Sequence, residues 1–266
     1  MPEGDTIFRS ARTLHAALAG RVVTSFETRL ATLSAVDQNA PLAGRTVLAV
    51  RSAGKHLLME FSGDLVLRTH MRMSGSWHIY RPGERWHRSR DAMRIVVSTD
   101  EYVAVAFDVM VAELLTARAL ARHRELRALG PDVLDEQFDA AIALARLRAA
   151  RPDGPIADAL IDQRVMSGVG NVFKSEALFV AGIHPFRPVS TLSDEELGRV
   201  IEASRTLMRV NVSSGGRRTT RMMNPDAKLW VYGRTGRPCR RCGTAIESRK
   251  HGEDARGTYW CSRCQR

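Results

Sequence analysis

The chain has 266 residues, 44% of them hydrophobic, and a formal net charge of +11. That length is ample for two domains with buried cores, and the apolar share with mixed charge excludes a disordered or low-complexity polymer. The longest apolar run, 177–183, is far too short to span a bilayer, and the start MPEGDTIFRS lacks the basic and apolar regions of a secretory signal, so a soluble cytoplasmic chain is expected.

In chain order, the first element reads as a helix. Asp5 or Thr6 can cap it, Ile7, Ala11, Leu14 and Leu18 form an apolar stripe, and Gly20 ends it. Seven strand-like runs follow, at 21–28, 46–51, 56–61, 64–69, 77–80, 93–99 and 101–107, with Gly, Pro, Asp and Ser between them. Runs 56–61 and 64–69 form one expected hairpin, and 94–98 with 102–106 another. One helix before seven short strands implies a β-sandwich or barrel of roughly 110 residues. From Val111 the period becomes helical, with helices expected at 112–126, 138–149, 155–165, 172–180 and 193–212, the last headed by the capping box Ser193-Asp-Glu-Glu196. Polar, basic 213–225 reads as a mobile loop. The expected architecture is α+β, divided into an N-terminal helix plus β-sandwich at 1–112, a helical domain at 113–228 and a small cysteine-bearing hairpin at 229–266.

The charge is unevenly placed. Residues 1–210 carry 27 basic and 25 acidic side chains, and residues 211–266 carry 13 and 4. A cationic end on a near-neutral body suits a polyanion partner, whose neutralised phosphates release counterions; a solubilising tail fits the charge equally well. All four cysteines lie in that end, as Cys239-Arg-Arg-Cys242 and Cys261-Ser-Arg-Cys264 with 18 residues between the pairs. This is the spacing of a four-thiolate zinc site. Two disulfides are the alternative, but they need an oxidising compartment for which no export signal speaks. One structural Zn2+ is therefore expected. It would supply on the order of 10 kcal/mol to a segment too small to bury much core, and would display Arg249, Lys250 and Arg256.

Two further segments invite chemistry. Asp162-Gln-Arg-Val-Met-Ser-Gly168-Val-Gly170-Asn171 joins two expected helices. Its glycines permit a tight turn, and the first N–H groups of the next helix can hold an anion, with Asn171 and Lys174 as added donors; a plain interhelical turn looks the same. At the start, Pro2 allows removal of Met1, which exposes a secondary amine beside Glu3, a nucleophile with an acid/base partner. An α-amino group titrates at roughly 7.7–8.0, so part of it is neutral at cellular pH. Attack on an aldehyde-like carbon would give an iminium, an electron sink that needs no cofactor. An inert Met-Pro start is the alternative.

MPEGDT, Gly54-Lys55-His-Leu-Leu, His70-Met-Arg-Met73-Ser-Gly-Ser, Gly130-Pro-Asp-Val-Leu-Asp135, the 162–171 segment and the four-cysteine end occur in the order of one family. From end to end the sequence resembles the formamidopyrimidine-DNA glycosylase/endonuclease VIII family. The resemblance implies a β-sandwich, a helix–two-turn–helix domain and a zinc finger. It further implies a bifunctional DNA glycosylase/AP lyase, a bacterial cytoplasmic monomer without membrane contact. Such an enzyme is nucleoid-associated while bound to damaged DNA, duplex or partly single-stranded. Pro2 would attack C1′, Glu3 would act as general acid/base, and Lys55 would contact phosphate near the lesion. Asn171 and Arg256 would grip the phosphates flanking an everted nucleotide. Met73 would fill the resulting hole; a half-buried core Met is its alternative.

Oxidised-purine members typically carry an Arg-containing loop, with an adjoining Phe, after the strand ending near Phe107. Here Phe107-Asp-Val-Met-Val-Ala-Glu has no Arg, and the loop at 213–230 looks shorter, which favours oxidised pyrimidines. Position 6 is Thr where many relatives carry Glu, so contacts near the amine are expected to differ. Oxidised-purine excision and a non-catalytic damage-binding role stand as alternatives.

Overall fold

The first apolar stripe folds as read. Ile7, Ala11, Leu14 and Leu18 are buried on helix α1 (Gly4–Leu18) in a computed structural model that describes residues 2–213, 216–252 and 255–266. Neither Asp5 nor Thr6 caps it. Glu3 is the N-cap, and its carbonyl accepts the N–H groups of Thr6 at 2.9 Å and Ile7 at 3.1 Å, which places Asp5 inside the first turn, buried. By packing, the chain forms two units, Met1–Arg127 and Ala128–Arg266.

The first unit holds two antiparallel four-stranded sheets. One is ordered β1-β6-β7-β5, from Ser25–Thr28, Met93–Ser98, Val103–Phe107 and Ser76–Tyr80. The other is ordered β2-β3-β4-β8, from Val47–Ala53, His56–Phe61, Leu65–His70 and Val111–Thr116. Alternate residues on facing strands, among them Leu57, Met59 and Leu67 from one sheet and Ile95, Val97, Ala104 and Ala106 from the other, share a core with α1. The sandwich is closed by strand β8, which the helical reading of 112–126 missed. Val-Ala-Glu-Leu-Leu-Thr is as compatible with a helix as with a strand, and pairing along β4, from Leu65 opposite Thr116 to His70 opposite Val111, decides it. Only two short helices remain of that expected element, α3 (Ala117–Ala121) and α4 (Arg124–Arg127). A helix also stands unforeseen between β1 and β2: α2 (Ala31–Asn39) buries only Leu33 and has no apolar stripe to announce it.

On the outer side of the second sheet lies a buried charge. Arg68 of β4 is 2% exposed and is held by Glu113 of β8 and Glu125 of α4, while His123 Nε2 lies 3.1 Å from Glu113. A guanidinium there needs both carboxylates, since a buried unpaired charge is strongly destabilising.

The second unit contains α5 (Ala140–Ala150), α6 (Ile156–Ile161), α7 (Asn171–Ala181) and α8 (Asp194–Asn211), and a hairpin of β9 (Glu247–His251) and β10 (Arg256–Trp260). Ser193 and Glu196 form the expected capping box of α8, with bonds of 3.1 and 2.8 Å. Helix α7 sits in the middle, and every residue from Asn171 to Phe179 is buried. Of the loop expected at 213–225, Ser214 and Gly215 lie outside the described residues. The following stretch is tied down: Arg218 donates to the carbonyls of Met222, Asn224, Pro225 and Ala227, and the Asn211 side chain bonds Arg218 through both its N–H and its carbonyl.

Glu176 of α7 fastens the same stretch and was not singled out in the sequence. Its fully buried carboxylate accepts the hydroxyl of Thr219 and the N–H groups of Trp230 at 2.8 Å, Val231 at 2.9 Å and Tyr232 at 2.8 Å. Replacing it with Ala leaves buried donors without acceptors. Glu176→Ala should therefore cost about 3 kcal/mol or more in urea unfolding followed by tryptophan fluorescence; a loss under about 1 kcal/mol would show that water substitutes for the carboxylate.

Candidate nucleic-acid interface and zinc centre

In the first unit, the residues singled out by sequence sit at strand ends and at the head of α1. Pro2 is half-buried and Glu3, its neighbour, is fully buried. Met1, whose removal would free the Pro2 amine, lies outside the described residues. Because α1 begins with the Glu3 carbonyl rather than its side chain, the carboxyl group is not committed to capping. Lys55 is the second residue of the Gly54-Lys55 turn joining β2 to β3, with Ala53 paired opposite His56.

The turn from β4 to β5 presents Met73, which is 68% exposed and so is no core residue. Two devices shape this turn. Gly75 donates its N–H to the Met71 carbonyl at 2.8 Å, and a Cβ at Gly75 would come within 2.5 Å of that oxygen, so only glycine fits. His70 accepts the Arg72 N–H at Nδ1 over 3.0 Å, holding Arg72 at φ +49° directly before Met73. Burial, then the nearby charges of Arg72 and Lys55, push the His70 imidazole down to about 4. Burial, then Arg68, pushes neighbouring His56 down to about 3. Both are neutral imidazoles at neutral pH, which leaves the His70 Nδ1 lone pair available to Arg72. The motif His70-Met-Arg-Met73 was legible; this role of its first residue was not.

In the second unit, the 162–171 segment is the connection between α6 and α7. Gln163 closes it: Oε1 accepts the Gly168 N–H at 3.0 Å, and Nε2 donates to the carbonyls of Ile161 and Val169 at 2.8 and 2.9 Å. The Gly130-Pro-Asp motif lies against it, with Gly130 donating to the Gln163 carbonyl at 2.8 Å and Ser167 to the Pro131 carbonyl at 3.0 Å. A Cβ on Gly130 would meet the Val165 carbonyl at 2.3 Å, which is why this motif carries a glycine. Asn171 opens α7, and its Nδ2 donates to the Gly257 carbonyl of β10 at 2.8 Å.

Lys174 is the third residue after Asn171 in α7. Expected as a donor to DNA, it instead has a fully buried side chain whose Nζ donates to Thr258 Oγ1 at 2.6 Å. The periodicity placed it on α7 but could not say which side of that helix has solvent; none does over its first nine residues. Arg256, by contrast, is partly exposed. With Arg151, Arg164, Asp158, Asp162 and His251 it lines a recess of 240 Å³. Asp162 is held below the usual carboxylate range by the Arg164 guanidinium, so this recess keeps both signs of charge at neutral pH.

The four cysteines meet. All are free thiols and their sulfurs lie within 4.8 Å of one another, with 3.9 Å between Cys239 and Cys264 and 3.5 Å between Cys242 and Cys261. Tetrahedral zinc with bonds of about 2.3 Å sets its sulfurs about 3.8 Å apart, whereas a disulfide needs about 2.05 Å. The donor set fits zinc. It is backed by an apolar cluster of Phe179, Val231, Ile246 and Cys261, with Trp230 stacked on Phe179 at 5.3 Å. Among the described residues no helix is long and apolar enough to cross a membrane.

Comparison with known proteins agrees with this layout. Residues 1–110 match the formamidopyrimidine-DNA glycosylase N-terminal domain, 129–223 its H2TH domain, and 236–266 the zinc finger found in FPG and IleRS. The chain is 41% identical to a DNA-(apurinic or apyrimidinic site) lyase of Mycolicibacterium smegmatis, covering 100% of this chain and 99% of that one. It is 39% identical to an endonuclease 8 of Mycobacterium tuberculosis, with both chains covered completely. A solved structure of MutM in complex with DNA containing carbocyclic 8-oxo-G superposes with a TM-score of 0.85 at 25% identity, each chain covered in full. With motif order, fold and four-cysteine centre in agreement, this chain belongs to the formamidopyrimidine-DNA glycosylase/endonuclease VIII family of bifunctional DNA glycosylases and AP lyases.

Proposed function

We propose that this chain excises oxidised bases from DNA, pyrimidines in preference, with the Pro2 amine as nucleophile, and then cuts the abasic strand. The observation that carries the reading is the pair at the head of α1: a half-buried Pro2 followed by a fully buried Glu3 whose side chain is not used as a helix cap. Once Met1 is removed, the nitrogen lone pair of Pro2 bonds to C1′ and the glycosidic bond breaks, its electron pair leaving with the base. The C1′–O4′ bond then opens, and Glu3 gives O4′ its proton. The iminium so formed acidifies C2′. Loss of a C2′ proton expels the 3′ phosphate, a second elimination expels the 5′ phosphate, and water releases the sugar remnant and regenerates the amine.

The remaining residues serve binding. Lys55, at the tip of the β2–β3 turn, contacts phosphate near the lesion. Met73, exposed on its glycine-shaped turn, fills the space the everted nucleotide leaves. Asn171 and Arg256 hold flanking phosphates. One Zn2+ on Cys239, Cys242, Cys261 and Cys264 is structural, pinning the hairpin that carries Arg256. The chain acts as a monomer on damaged DNA, duplex or partly single-stranded. Pyrimidine preference is supported by the connection from β7 to β8, which is only Asp108-Val-Met110 and offers no Arg; Asp108 is instead bound by Arg88 at 2.6 Å.

Borohydride reduction on abasic DNA tests the core of this reading. A covalent adduct is expected with Met-processed protein, and its absence would leave only a damage-binding protein. On paired duplexes, thymine glycol should be cleaved faster than 8-oxoguanine; the reverse order overturns the pyrimidine preference.

A further inference from the structure

Lys174 is one of four lysines in the chain, and a buried ammonium is costly unless its donors are satisfied. Its bond to Thr258 fixes the direction of a longer chain of bonds. An ammonium only donates, so the Thr258 oxygen accepts from Lys174 and the hydroxyl proton points elsewhere. His251 Nε2 lies 2.5 Å from that oxygen; with Nδ1 facing the Asp158 carboxylate, a neutral imidazole keeps its proton at Nδ1 and accepts the hydroxyl proton at Nε2. Burial chiefly keeps the imidazole neutral, and Nδ1 lies 3.1 Å from Asp158 Oδ1. Donation thus runs one way, from Lys174 on α7 to Thr258 on β10, to His251 on β9, to Asp158 on α6.

One turn earlier on α7, Asn171 holds the Gly257 carbonyl. Helix α7 therefore fastens by separate side chains the two residues that follow Arg256 on β10. Arg256 itself pairs with His251 across the hairpin and faces the recess shared with Arg151 and Arg164. We propose that Lys174 does not touch DNA and is a positioning residue: by fixing Thr258 it sets the place at which β10 presents Arg256 to a phosphate. This rests on the reading of Arg256 as a phosphate contact. It assigns to Lys174, beside Asn171, a share of the coupling between α7 and the zinc hairpin.

The test is the salt dependence of affinity for a duplex holding a non-cleavable abasic analogue, measured on zinc-loaded protein. Arg256→Ala should lower the slope by about one unit. Lys174→Met, which keeps the volume but not the charge, should lower it by the same amount while zinc content stays at one per chain. Thr258→Val, which cuts the same link from the other side, should match it. The Lys174→Met/Arg256→Ala double variant should bind no more weakly than Arg256→Ala alone, because the two changes remove one contact. Additive losses with a slope lowered by two units would make Lys174 a phosphate contact and overturn the proposal. Wild-type slope in both Lys174→Met and Thr258→Val would overturn it too, as would loss of zinc from either, which would give Lys174 the finger's folding rather than its aim. An unchanged slope in Arg256→Ala removes the underlying reading itself, and is told apart because it appears in the Arg256 arm.

Discussion

Zinc removal is expected to unfold the C-terminal hairpin while leaving the β-sandwich intact. The hairpin has little core of its own: on β9, Glu247, Ser248, Arg249 and Lys250 are all exposed, and the apolar backing centres on the cysteines. Most of its folding free energy then comes from the metal, on the order of 10 kcal/mol in zinc-finger peptides. Chelation, or Cys261→Ala at the fully buried ligand, should abolish the near-ultraviolet signal of Trp260 and reduce DNA affinity to a nonspecific level. Because thiolates must lose their protons to bind, the metal should also leave as the pH falls. Zinc-free protein that keeps both its near-ultraviolet spectrum and its affinity would refute the site.

The second large effect belongs to Glu3. Glu3→Gln preserves shape and hydrogen-bonding capacity but cannot supply the proton that O4′ needs. A positioned general acid contributes about 10²–10⁴-fold, and single-turnover base excision should fall by that factor. Equilibrium affinity for abasic-analogue DNA should stay within about twofold, since the helix start depends on the Glu3 carbonyl, which the substitution retains. A fall in rate of less than tenfold would remove Glu3 from the chemistry.

Much of this molecule could be read before its structure, and the failures have physical causes. The strands from β2 to β7 were legible because sandwich strands alternate and end in turn residues; β3 was placed at its observed limits. The cysteine spacing announced its own geometry, as did the Ser193 capping box. Strand β8 was not legible, since its residues form helices readily and only its partner β4 makes it a strand. The N-terminal Pro-Glu pair was legible only in company with the later motifs, because a Met-Pro start carries no geometry. Lys174 was read as a donor because it follows the glycine turn at the start of a helix, and only tertiary packing places its ammonium on Thr258. Glu176 and His70 act through backbone N–H groups distant in sequence or folded back in a turn, and no pattern of side chains records such bonds.

Helix α7 sets a boundary on how the protein can diversify. Nine successive buried residues, including Asn171, Lys174 and Glu176, leave its surface to the last turn, where Val180 is exposed. Every position in that run answers to packing, and Asn171, Lys174 and Glu176 answer to polar partners on other segments as well, so a substitution there disturbs the core or the chain bonded to it. Variation has room where side chains already stand in solvent, at Met73 and Met110 in the first unit and at Met222 and Met223 in the second. The protein thus keeps this buried frame and its exposed methionines on different elements, so the latter can change without disturbing how the helix holds together.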